Sequence, residues 1–306
     1  MKASHLSICL ILSLWFAPLL TCAEDHSIFA RSNIAAWCIV PYDAKHRGPE
    51  ERAQMLQDLG LTKLAYDWRT QHIPTFDAEV EAMKHHGIEI TAWWYPSPNQ
   101  AILDVIKRHD IHPQLWVCGR GAKDAFPSTG EQRIEDEANR IRPIAVAAAA
   151  LGCKVGLYNH REPWFEDQDN QIALIERLKR EGLMNVGIVF NFHHWHGVLA
   201  DFPALFKRMQ PYLLAVNLNG MRADTTSYGG VRFVGTGDSE LTMMRTVEES
   251  GWRGPVGIIN EHNDLDAAEA LTRNLAGIEW VQKELHQPGS GGPKPTEPAP
   301  PVTAKP

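Results

Sequence analysis

The sequence predicts a (β/α)₈ barrel, and three observations carry that expectation. Strand-like and helix-like segments alternate in strict order between residues 33 and 285. The strand-like segments are continuously apolar, as strands covered on both faces are. The first of them runs into IVPYDAKHRG, which lacks the glycine-rich phosphate turn common in open doubly wound sheets. Eight such units in order close on themselves.

The first strand is IAAWCIV (34–40), bounded by Pro41. Pro49-Glu50-Glu51 opens the first helix, because proline suits the first helical position and acids suit the positive end of the dipole. Gly60 ends it. LTKLAYDW (61–68) is the second strand, and Phe76, Val80 and Met83 then recur at helical spacing until Gly87. IEITAWWY (88–95) is the third strand, with ILDVIKRH (102–109) as the helix behind it. PQLWVCG (113–119) is the fourth. A long helical stretch follows from about Gln132 to Leu151 with Pro143 inside it, and a proline there predicts a kink or a break. KVGLYNH (154–160), NVGIVFNFHH (185–194) and YLLAVNLNG (212–220) are strands five to seven, separated by helices near 168–181 and 202–210. Asp238-Ser239 is placed to cap the next helix, which ends at Gly251. GPVGIIN (254–260) is the eighth strand. The last helix runs from Leu265 to about Leu285, with Leu271, Leu275, Ile278 and Val281 on one side.

Both ends of the chain fall outside this pattern. Residues 1–23 combine one Lys, an apolar run from Leu6 to Leu20, and small residues around Cys22 and Ala23. This reads as a cleaved export signal, too short for a retained span, and implies a periplasmic or extracellular protein. Leu19-Leu20-Thr21-Cys22 also resembles a lipoprotein cleavage box, so lipid anchoring at Cys22 is the alternative. The barrel is expected over 24–286. Residues 287–306, QPGSGGPKPTEPAPPVTAKP, cannot bury an apolar face and are expected to be a disordered tail.

Composition narrows the function classes. The 306 residues are 44% hydrophobic and 22% charged, with a net charge of -7, and the basic residues are scattered. A nucleic-acid partner is therefore not expected. Three cysteines remain after the signal, Cys38, Cys118 and Cys153, without CxxC spacing. They predict buried free thiols rather than a disulfide framework.

Ligands of such barrels bind where the strands end. Asp43 and Arg47 follow the first strand; Asp67, Arg69 and His72 the second; Trp93, Trp94 and Tyr95 the third; Arg120 the fourth. Tyr158, Asn159, His160, Glu162 and Trp164 follow the fifth, and Asn191, His193 and His194 the sixth. Asn217 and Asn219 end the seventh, and Asn260, Glu261 and His262 the eighth. Amides, imidazoles and aromatic rings outnumber carboxylates, which suits a neutral polyhydroxylated small molecule, a carbohydrate. Asp67, Arg69, Trp94, Tyr158, Asn159, Asn191, Asn217, Asn219 and Asn260 are the expected substrate contacts. Several choices stay open at this point. Trp93, Trp94 and Trp195 suit either core or ligand, and Asp67 and Arg69 suit either ligand or an ion pair tying a loop. Alternation turns His193 or His194 inward, not both. His196 is expected on the surface.

Several strings resemble the sugar phosphate isomerase/epimerase family, the xylose isomerase-like TIM barrels. HIPTFDAEVEAMKHHGIEI is similar to its second-helix and third-strand region, and VGIVFNFHH to its sixth-strand Asp-x-x-His signature. VRFVGTGDSELTMMRTVEESGWRGPVGI is similar to its seventh-to-eighth-unit ending, and the likeness spans about residues 33–285. The resemblance implies a divalent metal at the barrel mouth, held largely by carboxylates, that assists proton or hydride movement on a sugar. This chain departs from it at the ligand positions. The fifth-strand Glu falls on Tyr158, the sixth-strand Asp on Asn191 with His194 kept, and the eighth-strand Glu on Ile259 beside Asn260; the seventh strand supplies Asn217 or Asn219. Hard divalent ions need anionic oxygens, so the usual metal site is expected to be lost or altered.

The expected function is a sugar isomerase or epimerase with His160 and His194 as acid/base groups. A histidine zinc site from His160, His194 and His262 is a variant. A non-catalytic exported carbohydrate-binding barrel is the alternative from another class. Glycosidic hydrolysis would need two carboxylates, Asp67 with Glu162 or Glu261, on strands far apart in sequence.

Overall fold

The computed structural model describes residues 27–121, 123–160, 162–222 and 231–298. Eight strands form a closed parallel barrel in sequence order: β1 (Ile34–Trp37), β2 (Lys63–Tyr66), β3 (Glu89–Trp94), β4 (Gln114–Cys118), β5 (Val155–Tyr158), β6 (Val186–Asn191), β7 (Leu213–Leu218) and β8 (Val256–Ile259). β8 pairs with β1 from Ile34↔Val256 to Trp37↔Ile259. Several strands are shorter than their apolar runs. Ile39 and Val40 are buried beyond the last β1 pair, so hydrophobicity marks burial rather than ladder length.

Helices α1 (Pro49–Asp58), α2 (Phe76–His85), α3 (Gln100–His109), α4 (Gly130–Ala150), α5 (Pro163–Glu166), α6 (Gln168–Lys179), α7 (Phe202–Met209), α8 (Glu240–Glu249) and α9 (Ala267–His286) follow their strands. None is long and apolar enough to cross a membrane. Strand residues alternate between two cores. One set, including Leu64, Trp93, Val117, Leu157, Phe190 and Ile258, packs with the helices. The other fills the lumen with Trp37, Trp116 and Tyr158 beside Ala65, Ala92 and Ala215. Small residues on β2, β3 and β7 make room for the large rings of β1, β4 and β5. Gly156 belongs to the same fit: a Cβ there would lie 2.4 Å from Val189 and 2.9 Å from Trp116.

Two expectations need correction. α4 continues through Pro143 without a break. Pro143 lies on an exposed face, where the carbonyl freed one turn earlier can meet water. Ser239 is the N-cap residue of α8 but makes no side-chain cap bond. Instead the Glu240 carboxylate accepts the amides of Gly237 at 2.7 Å and Met221 at 2.9 Å, tying the preceding loop to the helix start. At the C-terminal end, residues 287–298 make hydrogen bonds to the barrel. Glu284 accepts the Gly289 and Gly291 amides, and Glu297 accepts the Phe233 amide at 3.0 Å. A segment with no apolar face is held here by hydrogen bonds to its neighbours. Residues 1–26, with the export segment and Cys22, and residues 299–306 lie outside the described residues. Cys38, Cys118 and Cys153 are buried and form no disulfide among the described residues, as expected.

Candidate ligand-binding site at the barrel mouth

A cavity of about 300 Å³ opens at the C-terminal strand ends, lined by Trp37, Cys38, Tyr42, Asp67, Trp68, Arg69, Thr70, Trp94, Pro96, Tyr158, His160, His194 and Glu261. The lumen rings form its floor. Trp37 donates its indole N–H to the Tyr158 hydroxyl oxygen at 2.9 Å, and Trp94 lies 5.8 Å from Trp37 and 5.3 Å from Tyr158, ring centre to ring centre. Trp68 donates to the Trp94 carbonyl at 2.7 Å, binding the ends of β2 and β3 together. Cys38 holds a left-handed backbone, φ +61°, where the chain leaves β1. A non-glycine residue in that region is strained by about 1–3 kcal/mol, a condition common beside functional sites.

Six residues predicted for the site come together here: Asp67, Arg69, Trp94, Tyr158, His160 and His194. The asparagines do not line the cavity. Asn217 donates to the Asn191 side-chain oxygen at 2.6 Å, and Asn191 donates to the Asn159 side-chain oxygen at 2.8 Å. Asn159 in turn donates to the Asn191 carbonyl at 3.2 Å. This buried amide chain links β5, β6 and β7, and none of its members lines the cavity. Asn219 donates to the Gly220 carbonyl, and Asn260 turns outward to accept from Asn274 of α9 at 3.0 Å. Satisfying buried amides inside the wall outweighed presenting them to a ligand.

Other rim residues are structural. Asp43 accepts Arg47, and Arg120 lies over the Phe126 ring. His72 accepts the Arg69 amide. Glu162 is ion-paired with Arg133. Trp93 is fully buried against Tyr66 and Phe76. His262 stacks on Phe233, 4.1 Å between ring centres, away from the other histidines. Trp195 and His196 line a second groove beside the mouth. Of the pair His193 and His194, the latter faces the cavity.

The electrostatics single out Asp67. Burial pushes its carboxyl up to about 7, opposed by the Arg69 charge and by the Val40 amide. The side-chain ion pair with Arg69, one of the two alternatives left open, does not form. Arg69 donates to the Asp67 and Trp68 backbone carbonyls at 2.8 and 2.9 Å, so it ties the loop through main-chain oxygens. Burial, and then the Asp67 and Glu261 charges, push the Cys38 thiol up, so it is not a thiolate nucleophile. Burial, and then the neighbouring His160, hold His194 well below its usual range, so it is neutral at pH 7.

The carboxylate positions of the resembled family cannot hold a hard divalent ion here. Burial keeps the Tyr158 phenol protonated, Asn191 and Asn217 are bonded to each other, and Ile259 belongs to the lumen core. A different cluster exists nearby. Donor atoms of His160, Glu166 and His194 all lie within 4.8 Å of one another, with the two imidazole centres 4.2 Å apart. Sequence reading missed Glu166 and underrated Glu261. Pro163 opening a one-turn helix five residues after a strand end is the only local signal for the first. The second became visible through barrel closure, because β8 and β2 both flank β1.

No protein-family model and no curated protein sequence matches the chain. Solved structures do. The IolI protein with a bound zinc atom superposes with a TM-score of 0.66 at 11% identity, covering 82% of this chain and 98% of that one. The 3-keto-D-glucoside 4-epimerase YcjR from E. coli gives 0.60 at 13% identity, covering 82% and 99%. A xylose isomerase domain protein from Planctomyces limnophilus gives 0.55 at 16% identity, covering 76% and 92%. With the closed eight-stranded sheet, these likenesses establish that the chain has the fold of the xylose isomerase-like TIM barrels.

Proposed function

We propose that the protein is a carbohydrate-processing enzyme of the isomerase or epimerase type, moving a proton on one sugar ring held at the barrel mouth. The carrying observation is Asp67, a fully buried carboxyl in the cavity wall that titrates near 7. A group close to half ionised at neutral pH can take a proton from a carbon beside a carbonyl and return it to the other face or to the next carbon. The acid/base role expected of His160 and His194 passes to Asp67 in this reading, because a buried, neutral His194 is a poor proton acceptor. An imidazole N–H from that pair would instead meet the oxygen on which charge develops. The indole and phenol faces of Trp37, Trp94 and Tyr158 offer the stacking that apolar sugar faces use. A cavity of about 300 Å³ sits at the small end of ligand sites, which suits a single ring. A structural neighbour is named for epimerising a keto-glucoside, which lends the substrate class.

The test is solvent exchange. Keto-sugars, aldoses and ketoses incubated in deuterium oxide should gain deuterium at a carbon beside the carbonyl, and Asp67→Asn should abolish the gain. Absence of exchange from every sugar of the panel, with binding seen by calorimetry, would select the non-catalytic carbohydrate-binding barrel instead. Hydrolysis gains one observation as a second reading, since Asp67 and Glu261 line the same cavity. Release of reducing sugar from a glycoside, lost in both Asp67→Asn and Glu261→Gln, would favour it.

We place this activity outside the cytoplasm on the strength of residues 1–23. N-terminal sequencing of protein from the periplasm or medium checks that placement. An unprocessed chain confined to the cytoplasm would refute it.

A further inference from the structure

We infer that His160, Glu166 and His194 form a three-ligand site for zinc or a similar borderline cation, on the wall between the mouth cavity and the adjoining groove. The inference deepens the proposed function by supplying an electrophile for the same cavity. It rests on geometry, and only its catalytic meaning rests on that reading.

The donor set is the first argument. Two imidazoles and one carboxylate match three-ligand zinc sites, which leave a position open for a bound molecule. Their donor atoms converge within 4.8 Å from three separate elements. His160 follows β5, Glu166 ends α5, and His194 ends the short turn Phe192–His194 after β6. Zinc–ligand bonds of about 2.0–2.2 Å place donors ~3.2–3.6 Å apart. Side-chain rotations of under an ångström or so would close the set.

Location is the second argument. His160 lines the mouth cavity, Glu166 lines the groove, and His194 lines both. The three donors therefore lie where the cavity and the groove adjoin. This place is not that of the positions where Tyr158, Asn191, Asn217 and Ile259 replace the ligands of the resembled family.

The third argument is an orphaned atom. Nδ1 of His194 is buried and has no hydrogen-bond partner. A buried ring nitrogen is costly to leave unmet, and a cation held by the cluster would meet it. The Glu166 backbone is fixed at this place: its amide donates to the Glu162 carbonyl at 2.9 Å, and its carbonyl accepts from Gln168 at 2.6 Å. Glu162 itself is anchored by Arg133.

The described residues contain one other group of this type, Glu50 with His85 and His86. It sits on the exposed surface, with Glu50 already paired to His86 at 2.8 Å, and it serves as an internal control.

The experiment titrates chelator-treated full-length protein with zinc against a chromophoric competitor, and with cobalt while recording the visible spectrum. One equivalent should bind, and cobalt should give the intense bands of a four-coordinate ion. His160→Ala and His194→Ala should each lower zinc affinity by more than the ~10–100-fold that loss of an outer partner costs. Glu166→Gln, which keeps size and shape, should lower it about tenfold or more. The paired variant His85→Ala/His86→Ala should change neither affinity nor spectrum. Failure to bind one equivalent, or unchanged affinity in Glu166→Gln and the His194 variant, overturns the site, as does loss of binding only in the surface pair. Asp67→Asn separates the two proposals, since it should abolish deuterium exchange and leave zinc binding intact.

Discussion

One carboxylate oxygen of Asp67 accepts the Val40 amide at 3.1 Å, and the other is buried without a hydrogen-bond partner. This half-satisfied state joins stability to function. The folded pKa, about 7, lies above the ordinary 3.8, so the folded chain holds a proton that the unfolded chain releases. The contribution is favourable below about pH 4 and is lost as pH rises to about 7. Asp67→Asn keeps the acceptor for Val40 and cannot ionise. It should match the native protein in stability at pH 4 and exceed it at pH 8 by on the order of 4 kcal/mol, three pH units of one proton. Urea unfolding at both pH values checks this. Equal stabilities at pH 8 would mean that Asp67 is an ordinary ionised carboxylate.

The same titration sets a pH profile for the proposed reaction. If Asp67 accepts the proton, kcat/KM should rise with pH and level off above about 7. A profile flat from pH 5.5 to 8.5 would remove Asp67 from the proton-transfer step.

Asn217 tests the difference between wall and site. Its side-chain nitrogen donates to Asn191, while its oxygen fills the space over Gly257, where a Cβ would lie 2.1 Å away. Asn217→Ala should therefore cost about 1–3 kcal/mol of stability and leave the sugar KM unchanged. Gly257→Ala should be severely destabilising alone and much less so with Asn217→Ala, because the clash disappears. Strict additivity in that pair would contradict the packing.

Arg133 holds two carboxylates inside the protein. It lies 2.9 Å from Glu137 and is ion-paired with Glu162, and all three side chains are buried. Arg133→Met strands Glu162 and leaves Glu137 with Arg140 alone, and about 3–5 kcal/mol of stability should be lost. Glu162 ends the segment leading into α5, so zinc affinity should fall in the same variant if the inferred site is real. Denaturant unfolding and the competitor titration measure the two effects separately.

How legible these features were in the sequence follows from what each depends on. The eight strands were readable because burial on both faces leaves unbroken apolar runs, as in VGIVFN and VGII. The rim was readable as a set of residues, but side-chain direction was not. Tyr158 points into the lumen, while the next residue, Asn159, reaches across to Asn191. Asn260 turns to Asn274, a partner on a helix that nothing near residue 260 announces. Glu261 and Asp67 are 194 positions apart in numbering, yet closure brings their strands to either side of β1. Glu166 sits on a one-turn helix whose placement depends on the buried Arg133 pair. Local pattern predicts elements, and long-range polar satisfaction decides which polar groups remain for a ligand.

Trp94 offers the most direct check on the ligand class. Its ring is half-buried between Trp37 and Tyr158 and lines the cavity, so it packs and remains reachable. The bond from Trp68 goes to its backbone carbonyl and survives replacement of the side chain. Trp94→Ala should therefore fold, at a cost below that of a fully buried ring, and weaken sugar binding about tenfold through lost stacking and lost apolar contact. Trp94→Phe keeps a ring face and should fall between the two. Calorimetry with the best-binding sugar reads the series directly. Should Trp94→Ala bind as tightly as the native protein, the aromatic floor is packing alone and the ligand is held by the Asp67 and histidine walls.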